Sequence, residues 1–122
     1  MAQSLLIVDD NSLIRKVIRS CFEKDPRFQI CGEAADGLDA IEKAVELRPD
    51  LVILDIAMPR MNGVDAARVL RSMMPSLPII VFTWYASILQ PSDVQTAGIS
   101  AVVSKSDLSG LVKHVEGVLP AA

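Results

Sequence analysis

A doubly wound α/β sheet, flavodoxin-like (βα)5 with parallel strands in the order 2-1-3-4-5, is the fold that this 122-residue sequence predicts. Three observations carry the prediction. Short apolar runs recur along the chain, each bounded by polar residues, as in strands buried on both faces of a parallel sheet. Between them lie segments whose apolar residues repeat at helical spacing. Strand and helix therefore alternate, which places helices on both faces, and right-handed crossovers restrict the strand order to 2-1-3-4-5 or a close relative.

Ser4-Leu5-Leu6-Ile7-Val8 reads as the first strand. Ile14, Val17, Ile18, Cys21 and Phe22 follow at i, i+3, i+4, i+7 and i+8 and form one apolar helix face, which Asp25-Pro26 ends. Phe28 to Glu33 is a weaker strand, its Phe28, Ile30 and Gly32 alternating with polar neighbours, and suits a sheet edge. Asp36-Gly37 opens a helix carrying Leu38, Ile41, Ala44 and Val45, closed by Arg48-Pro49. Leu51 to Leu54 is the third strand, followed by a loop containing Pro59. Gly63 precedes a helix with Val64, Ala67 and Leu70 that ends before Pro75. Ile79 to Phe82 is the fourth strand, after which the pattern blurs. Ala101 to Ser104 is the fifth, and Leu108, Leu111, Val112, Val115 and Leu119 mark a last amphipathic helix.

The whole of residues 1–122 is expected to be one domain, with no linker, repeat or output domain inside it. The hydrophobic fraction is 51%, yet no apolar run approaches the ~20 residues of a membrane helix. The N-terminus has no basic segment leading into a long apolar one, so a cytoplasmic location is expected. The net charge is −3 and Lys and Arg form no block, which argues against direct nucleic-acid binding. Cys21 and Cys31 lack metal-ligand spacing and sit in apolar periodic segments, so they read as reduced core thiols. His114 lies on the last helix, away from the strand ends, and reads as a solvated side chain. Arg15, Lys16 and Arg19 form a small basic patch whose default reading is a solvated helix face.

The strand ends carry the chemistry. The first runs into Asp9-Asp10, the third into Asp55, the fourth into Thr83 and the fifth into Lys105. Ligands of open α/β sheets bind beyond the carboxyl ends of the strands. Three carboxylates there repel one another and would repel a bare phosphate unless a cation fills the gap. A donor set of oxygens without His or Cys selects a hard ion, and Mg2+ is the one expected. Asp9-Asp10 as a mere helix cap would leave Asp55 and Lys105 unexplained. Asp55 at the sheet centre is the natural nucleophile, since carboxylates form phospho-aspartyl species, and Thr83 and Lys105 are placed to bind phosphoryl oxygens.

These residues resemble the receiver domain of a two-component response regulator, over essentially the whole chain. The resemblance rests on Asp9-Asp10, on Asp55 within Leu-Asp-Ile-Ala-Met-Pro, on Gly63, Thr83, Gly98 and Lys105. Gly-Glu-Ala-Ala-Asp-Gly, Leu-Arg-Pro-Asp and Ser104-Lys105-Ser106 resemble the NarL/FixJ-type branch. The resemblance implies that Asp55 accepts a phosphoryl group from a sensor histidine kinase. It implies Mg2+ bound by Asp10, Asp55 and the main-chain carbonyl of Ala57, with Asp9 reaching it through water. It implies phosphoryl oxygens held by Thr83, the main-chain N–H of Trp84 and Lys105. A helix-turn-helix output domain or a downstream protein would read the signal, through the face of the fourth helix, fifth strand and fifth helix, which is also the expected surface of a homodimer. Such a domain is not an enzyme beyond its own phosphorylation and dephosphorylation.

Three departures qualify the resemblance. A bulky Trp84, followed by Tyr85, replaces the usual small residue after the threonine, and either roofs the pocket or packs away on the surface. Val102 fills the usual aromatic switch position. Pro91 falls where receivers have helix interior, and Ser92-Asp93-Val94-Gln95 reads as a capping box with Ser92 as N-cap. The fourth helix is therefore expected to be short or displaced, after an irregular run from about Tyr85 to Pro91. These departures support an alternative, a pseudo-receiver that binds proteins without being phosphorylated. A third reading, a haloacid-dehalogenase-type hydrolase, needs a second carboxylate two residues after the nucleophile, where Ala57 stands.

Overall fold

The computed structural model describes residues 2–119. The outer limits of the expected 1–122 domain, Met1 and residues 120–122, lie outside the described residues. Strands β1 (Gln3–Val8), β2 (Phe28–Ala34), β3 (Leu51–Leu54), β4 (Ile79–Thr83) and β5 (Ala101–Ser104) alternate with helices α1 (Ser12–Phe22), α2 (Gly37–Leu47), α3 (Gly63–Met73), α4 (Pro91–Thr96) and α5 (Leu108–Val118). All strand pairs are parallel, and the order is β2-β1-β3-β4-β5. This is the flavodoxin-like, doubly wound sheet that the alternating pattern predicts.

The two sheet faces bury two separate layers. Leu6, Val8, Val52, Leu54 and Val81 point to the layer closed by Ala40 and Ala44 of α2, Ala67 and Leu70 of α3, and Ala97 beyond α4. Leu5, Ile7, Ile53, Ile80 and Phe82 point to the other, closed by Ile18 and Phe22 of α1 and Leu111 and Val115 of α5. The period-two alternation of the central strands thus feeds both layers. Cys31 packs on the first layer and Cys21 on the second, so the sheet separates the two thiols. Both are free, and burial pushes both thiols above their ordinary value.

Several local expectations need correction. β2 extends to Ala34 and carries a bulge: Leu5 pairs with Ile30 but Leu6 with Gly32, leaving Cys31 as the extra residue. Bulges favour edge strands, where the partner ladder is on one side only. Val17, Leu38, Val45 and Leu108 belong to apolar helix faces yet remain exposed. In α2 the buried stripe is the small-residue set Gly37, Ala40 and Ala44, which lets that helix approach the sheet closely. Ser92 is not the N-cap of α4. Gln90 is, with Pro91 at the first helical position and no side-chain capping bond. Proline is favourable there, because its missing N–H has no partner in the first turn and its φ is already helical. The expected irregular run before α4 contains one turn of 3-10 helix, Ala86–Ile88. The helix itself is short, six residues.

Candidate functional site

β1, β3, β4 and β5 end side by side, so the residues following them meet at one edge of the sheet. Asn11 caps α1, its side chain accepting from the Leu13 and Ile14 N–H groups. Capping therefore does not consume either carboxylate of the Asp9-Asp10 pair. Asp9 is 1% exposed, Asp55 4% and Thr83 fully buried, whereas Asp10 faces solvent. One carboxylate oxygen from each of Asp9, Asp10 and Asp55 lies within 4.8 Å of the others.

Lys105 is the counter-charge. Its Nζ lies 2.7 Å from Asp9 Oδ2 and 2.8 Å from Asp55 Oδ2, with its side chain 4% exposed. It donates a hydrogen bond to Asp55, while Asp9 Oδ2 is paired only by charge and has no aligned donor. Burial pushes the Asp9 carboxyl above its ordinary value, and the Lys105 ammonium and the Asn11 N–H only partly offset this. For Lys105 itself burial acts downward, but the hydrogen bond to Asp55 and the attraction of both carboxylates outweigh it and raise its value. The other Asp55 oxygen, Oδ1, accepts from the Ile56 N–H at 2.7 Å. The Thr83 hydroxyl accepts from the Tyr85 N–H at 3.2 Å.

The loop after Asp55 is held tightly. Gly63 N–H donates to the Ile56 carbonyl at 3.0 Å. A Cβ at Gly63 would sit 2.0 Å from the main-chain oxygen of Asp55. Arg60 adopts φ 63° and forks onto Asp36, Nε to Oδ2 at 2.8 Å and Nη2 to Oδ1 at 3.0 Å. Gly37 N–H reaches the Met61 carbonyl at 3.1 Å. The start of α2 is thus stapled to the loop that carries Ala57, which is exposed two residues beyond Asp55. Gly63→Ala is expected to lose at least about 1–3 kcal/mol, the usual range for overpacking, because the clash is with backbone that cannot rotate away. Urea denaturation checks it, and an unchanged midpoint would show that the loop gives way freely.

The departures resolve differently from one another. Trp84 is 59% exposed and Tyr85 49%, so the indole lies largely in solvent. Val102 packs against the layer that holds Val81 and Ile99. His114 is exposed, with Nδ1 2.8 Å from the Gly110 carbonyl. Of the basic patch on α1, Lys16 is exposed as expected, whereas Arg15 and Arg19 pair with Glu33.

A buried carboxylate at the centre of a five-stranded parallel sheet, with two more carboxylates, a threonine and a lysine at the neighbouring strand ends, forms a charged site where open α/β sheets bind their ligands. The response regulator receiver domain family matches residues 5–116, and the chain belongs to that family. A protein-glutamate methylesterase/protein-glutamine glutaminase of Pyrococcus horikoshii is 47% identical over 79 residues, 65% of this chain and 21% of that protein. The chain spans 21% to 29% of the length of curated relatives of this kind. Among solved structures, the CheX-CheY-BeF3-Mg+2 complex from Borrelia burgdorferi superposes with TM-score 0.89 at 25% identity, covering 98% of this chain and 90% of that one. A two-component response regulator of the LuxR family from Aurantimonas sp. gives TM-score 0.87 at 29% identity, covering 97% and 85%. The domain therefore acts in two-component signalling through phosphorylation, and the reading as an unphosphorylated pseudo-receiver is not favoured. Receiver domains pair with histidine kinases and typically use an acidic pocket for a metal ion, and an aspartate cluster of that kind is present. Among the described residues no helix is long and apolar enough to cross a membrane.

Proposed function

We propose that Asp55 takes the phosphoryl group of a sensor histidine kinase. A carboxylate oxygen of Asp55 forms the bond to phosphorus as the phosphorus–nitrogen bond to the kinase histidine breaks, and the imidazole keeps the electron pair. The observation that carries this reading is the Asp55 carboxylate, buried yet within 2.8 Å of Lys105 and clustered with Asp9 and Asp10. The all-oxygen donor set, three clustered carboxylates around a single ammonium, fits a hard divalent cation. Asp10, Asp55 and the Ala57 carbonyl would hold Mg2+, with Asp9 reaching it through water. Mg2+ bound there supplies charge neutralisation for the carboxylates and the transferring phosphoryl oxygens. Lys105 swings from its two carboxylates to a phosphoryl oxygen, and the Thr83 hydroxyl and Trp84 N–H take others.

Thr83 is also the link to output. Its hydroxyl leaves the Tyr85 N–H to bind phosphate, which frees the segment between β4 and α4. A groove of about 390 Å3 between α3 and this segment, lined by Val64, Tyr85, Ile88 and Leu89 among others, gives it room to move. The signal then reaches the α4–β5–α5 face, where a homodimer, a helix-turn-helix output domain or a downstream protein reads it. The site works in the cytoplasm, binds no nucleic acid directly, and catalyses nothing beyond its own phosphorylation and dephosphorylation. The catalysis named for the methylesterase relatives belongs to the part of those proteins that this chain does not cover. Incubation with acetyl phosphate and Mg2+ is expected to add one phosphoryl group by intact-mass measurement. Unmodified protein with both acetyl phosphate and a histidine kinase would overturn the proposal.

A further inference from the structure

The basic residues of α1 have a defined task in the structure. Arg15 Nη1 donates to the main-chain carbonyl of Asp9 at 2.6 Å, and its Nε donates to Glu33 Oε1 at 2.9 Å. Glu33 lies near the end of β2, and its other oxygen takes Arg19 Nε at 3.0 Å and Nη2 at 2.6 Å. Lys43 Nζ holds the Glu33 carbonyl from α2. Burial alone would raise the Glu33 carboxyl, but the bonds from Arg19 and Arg15 outweigh it and hold it below its ordinary value. Glu33 is therefore a fixed anion, and Arg15 is seated on it with its side chain only 19% exposed.

The consequence falls on the acidic turn. Asp9 N–H pairs with the Ala34 carbonyl at 3.0 Å, and Asp9 Oδ1 accepts from the Asn11 N–H at 2.9 Å. Arg15 adds the third tie, at the Asp9 carbonyl. That carbonyl belongs to the Asp9–Asp10 peptide, which is planar, so holding it also fixes the direction in which the Asp10 backbone starts. Among the described residues the Asp10 side chain has no hydrogen-bond partner of its own, and it faces solvent. Its aim toward Asp9 and Asp55 depends on the peptide before it.

We propose that Arg15, seated on Glu33, is a positioning residue for divalent-cation binding: it locks the Asp9–Asp10 peptide and thereby aims the Asp10 carboxylate into the cluster. This rests on the proposed assignment of the cluster as the cation site. A purely electrostatic role would have the opposite sign. A guanidinium beside the turn repels a cation, so charge alone predicts tighter binding once it is removed. Positioning predicts weaker binding, and it predicts weaker binding for lysine too, because a single ammonium cannot reproduce the two-armed contact.

The test is calorimetric titration of the full chain with Mg2+, in the absence of any phosphodonor. Arg15→Gln and Arg15→Lys are expected to bind about tenfold more weakly, the lower end of what lost support of a metal ligand costs. Glu33→Gln should also weaken binding, but it removes an anion as well as the seat, so the two Arg15 variants decide the matter. Arg19→Gln touches Glu33 but not the turn and should bind as the wild type does. Metal-free melting, followed in parallel, separates lost stability from lost affinity, and Arg15→Lys, which keeps the charge, leaves a second variant if Arg15→Gln folds poorly. Wild-type affinity or tighter binding in both Arg15 variants would overturn the positioning role alone. A wild-type chain that binds no Mg2+ would overturn the assignment of the site, and the role with it.

Discussion

Asp55→Asn is expected to take up no phosphoryl group under conditions that modify the wild type, and to raise the unfolding midpoint in the absence of metal. The first outcome follows from chemistry. An amide oxygen carries no charge with which to attack phosphorus, so the variant lacks the proposed acceptor. The second follows from the charges. Asp9, Asp10 and Asp55 gather three negative charges around the single ammonium of Lys105. Removing one leaves Lys105 paired with Asp9 and takes away a repulsion that the folded state must carry. The same change removes a cation ligand, so Mg2+ should raise the variant's midpoint less than the wild type's. Intact mass with acetyl phosphate and thermal melting with and without Mg2+ measure both halves. A modified variant would move the acceptor elsewhere. A metal-free midpoint below the wild type's would mean that the Asp55–Lys105 attraction outweighs the repulsion.

The central sheet is legible in the sequence because buried parallel strands leave continuous apolar runs with abrupt polar ends, and those ends are the site. Leu51 to Leu54 stops at Asp55, and Ile79 to Phe82 stops at Thr83, within a residue of the observed strands. What periodicity does not reveal is pairing between distant side chains. Nothing along the chain says that Arg15 bridges Asp9 and Glu33, or that Arg60 takes φ 63° to fork onto Asp36. Both depend on which loops the crossovers bring together. The bulge at Cys31 is hidden because Phe28 and Ile30 alternate as in a regular strand, and only the partner register shows the slip. α4 misleads for a local reason. Ser92-Asp93-Val94-Gln95 matches a capping pattern, but Pro91 is a good first helical residue, and the helix starts there. A glycine signals a close approach without naming its partner: Gly63 faces the Asp55 carbonyl itself.

Lys105→Ala should be the most destabilising single change at this site in metal-free protein, costing about 3–5 kcal/mol, as removal of one partner from a buried ion pair does. The ammonium is the only cation within salt-bridge distance of either Asp9 or Asp55 among the described residues, and all three side chains are at most 5% exposed. Its loss leaves two buried carboxylates facing each other across the space it filled. Burial already pushes the Asp9 carboxyl upward with Lys105 present, so its charged form in the folded state would become costlier still. Alanine also opens a void where the lysine stem packed. Two rescues should separate charge from packing. Saturating Mg2+ supplies the missing positive charge, so its stabilising effect should be larger in Lys105→Ala than in the wild type. Lys105→Met keeps the stem but not the charge, and should recover little of the metal-free loss while responding as strongly to Mg2+. Urea denaturation of the three proteins with and without Mg2+ is the measurement. If Lys105→Met matches the wild type without metal, packing carries the site, and the ammonium is not what holds these carboxylates together.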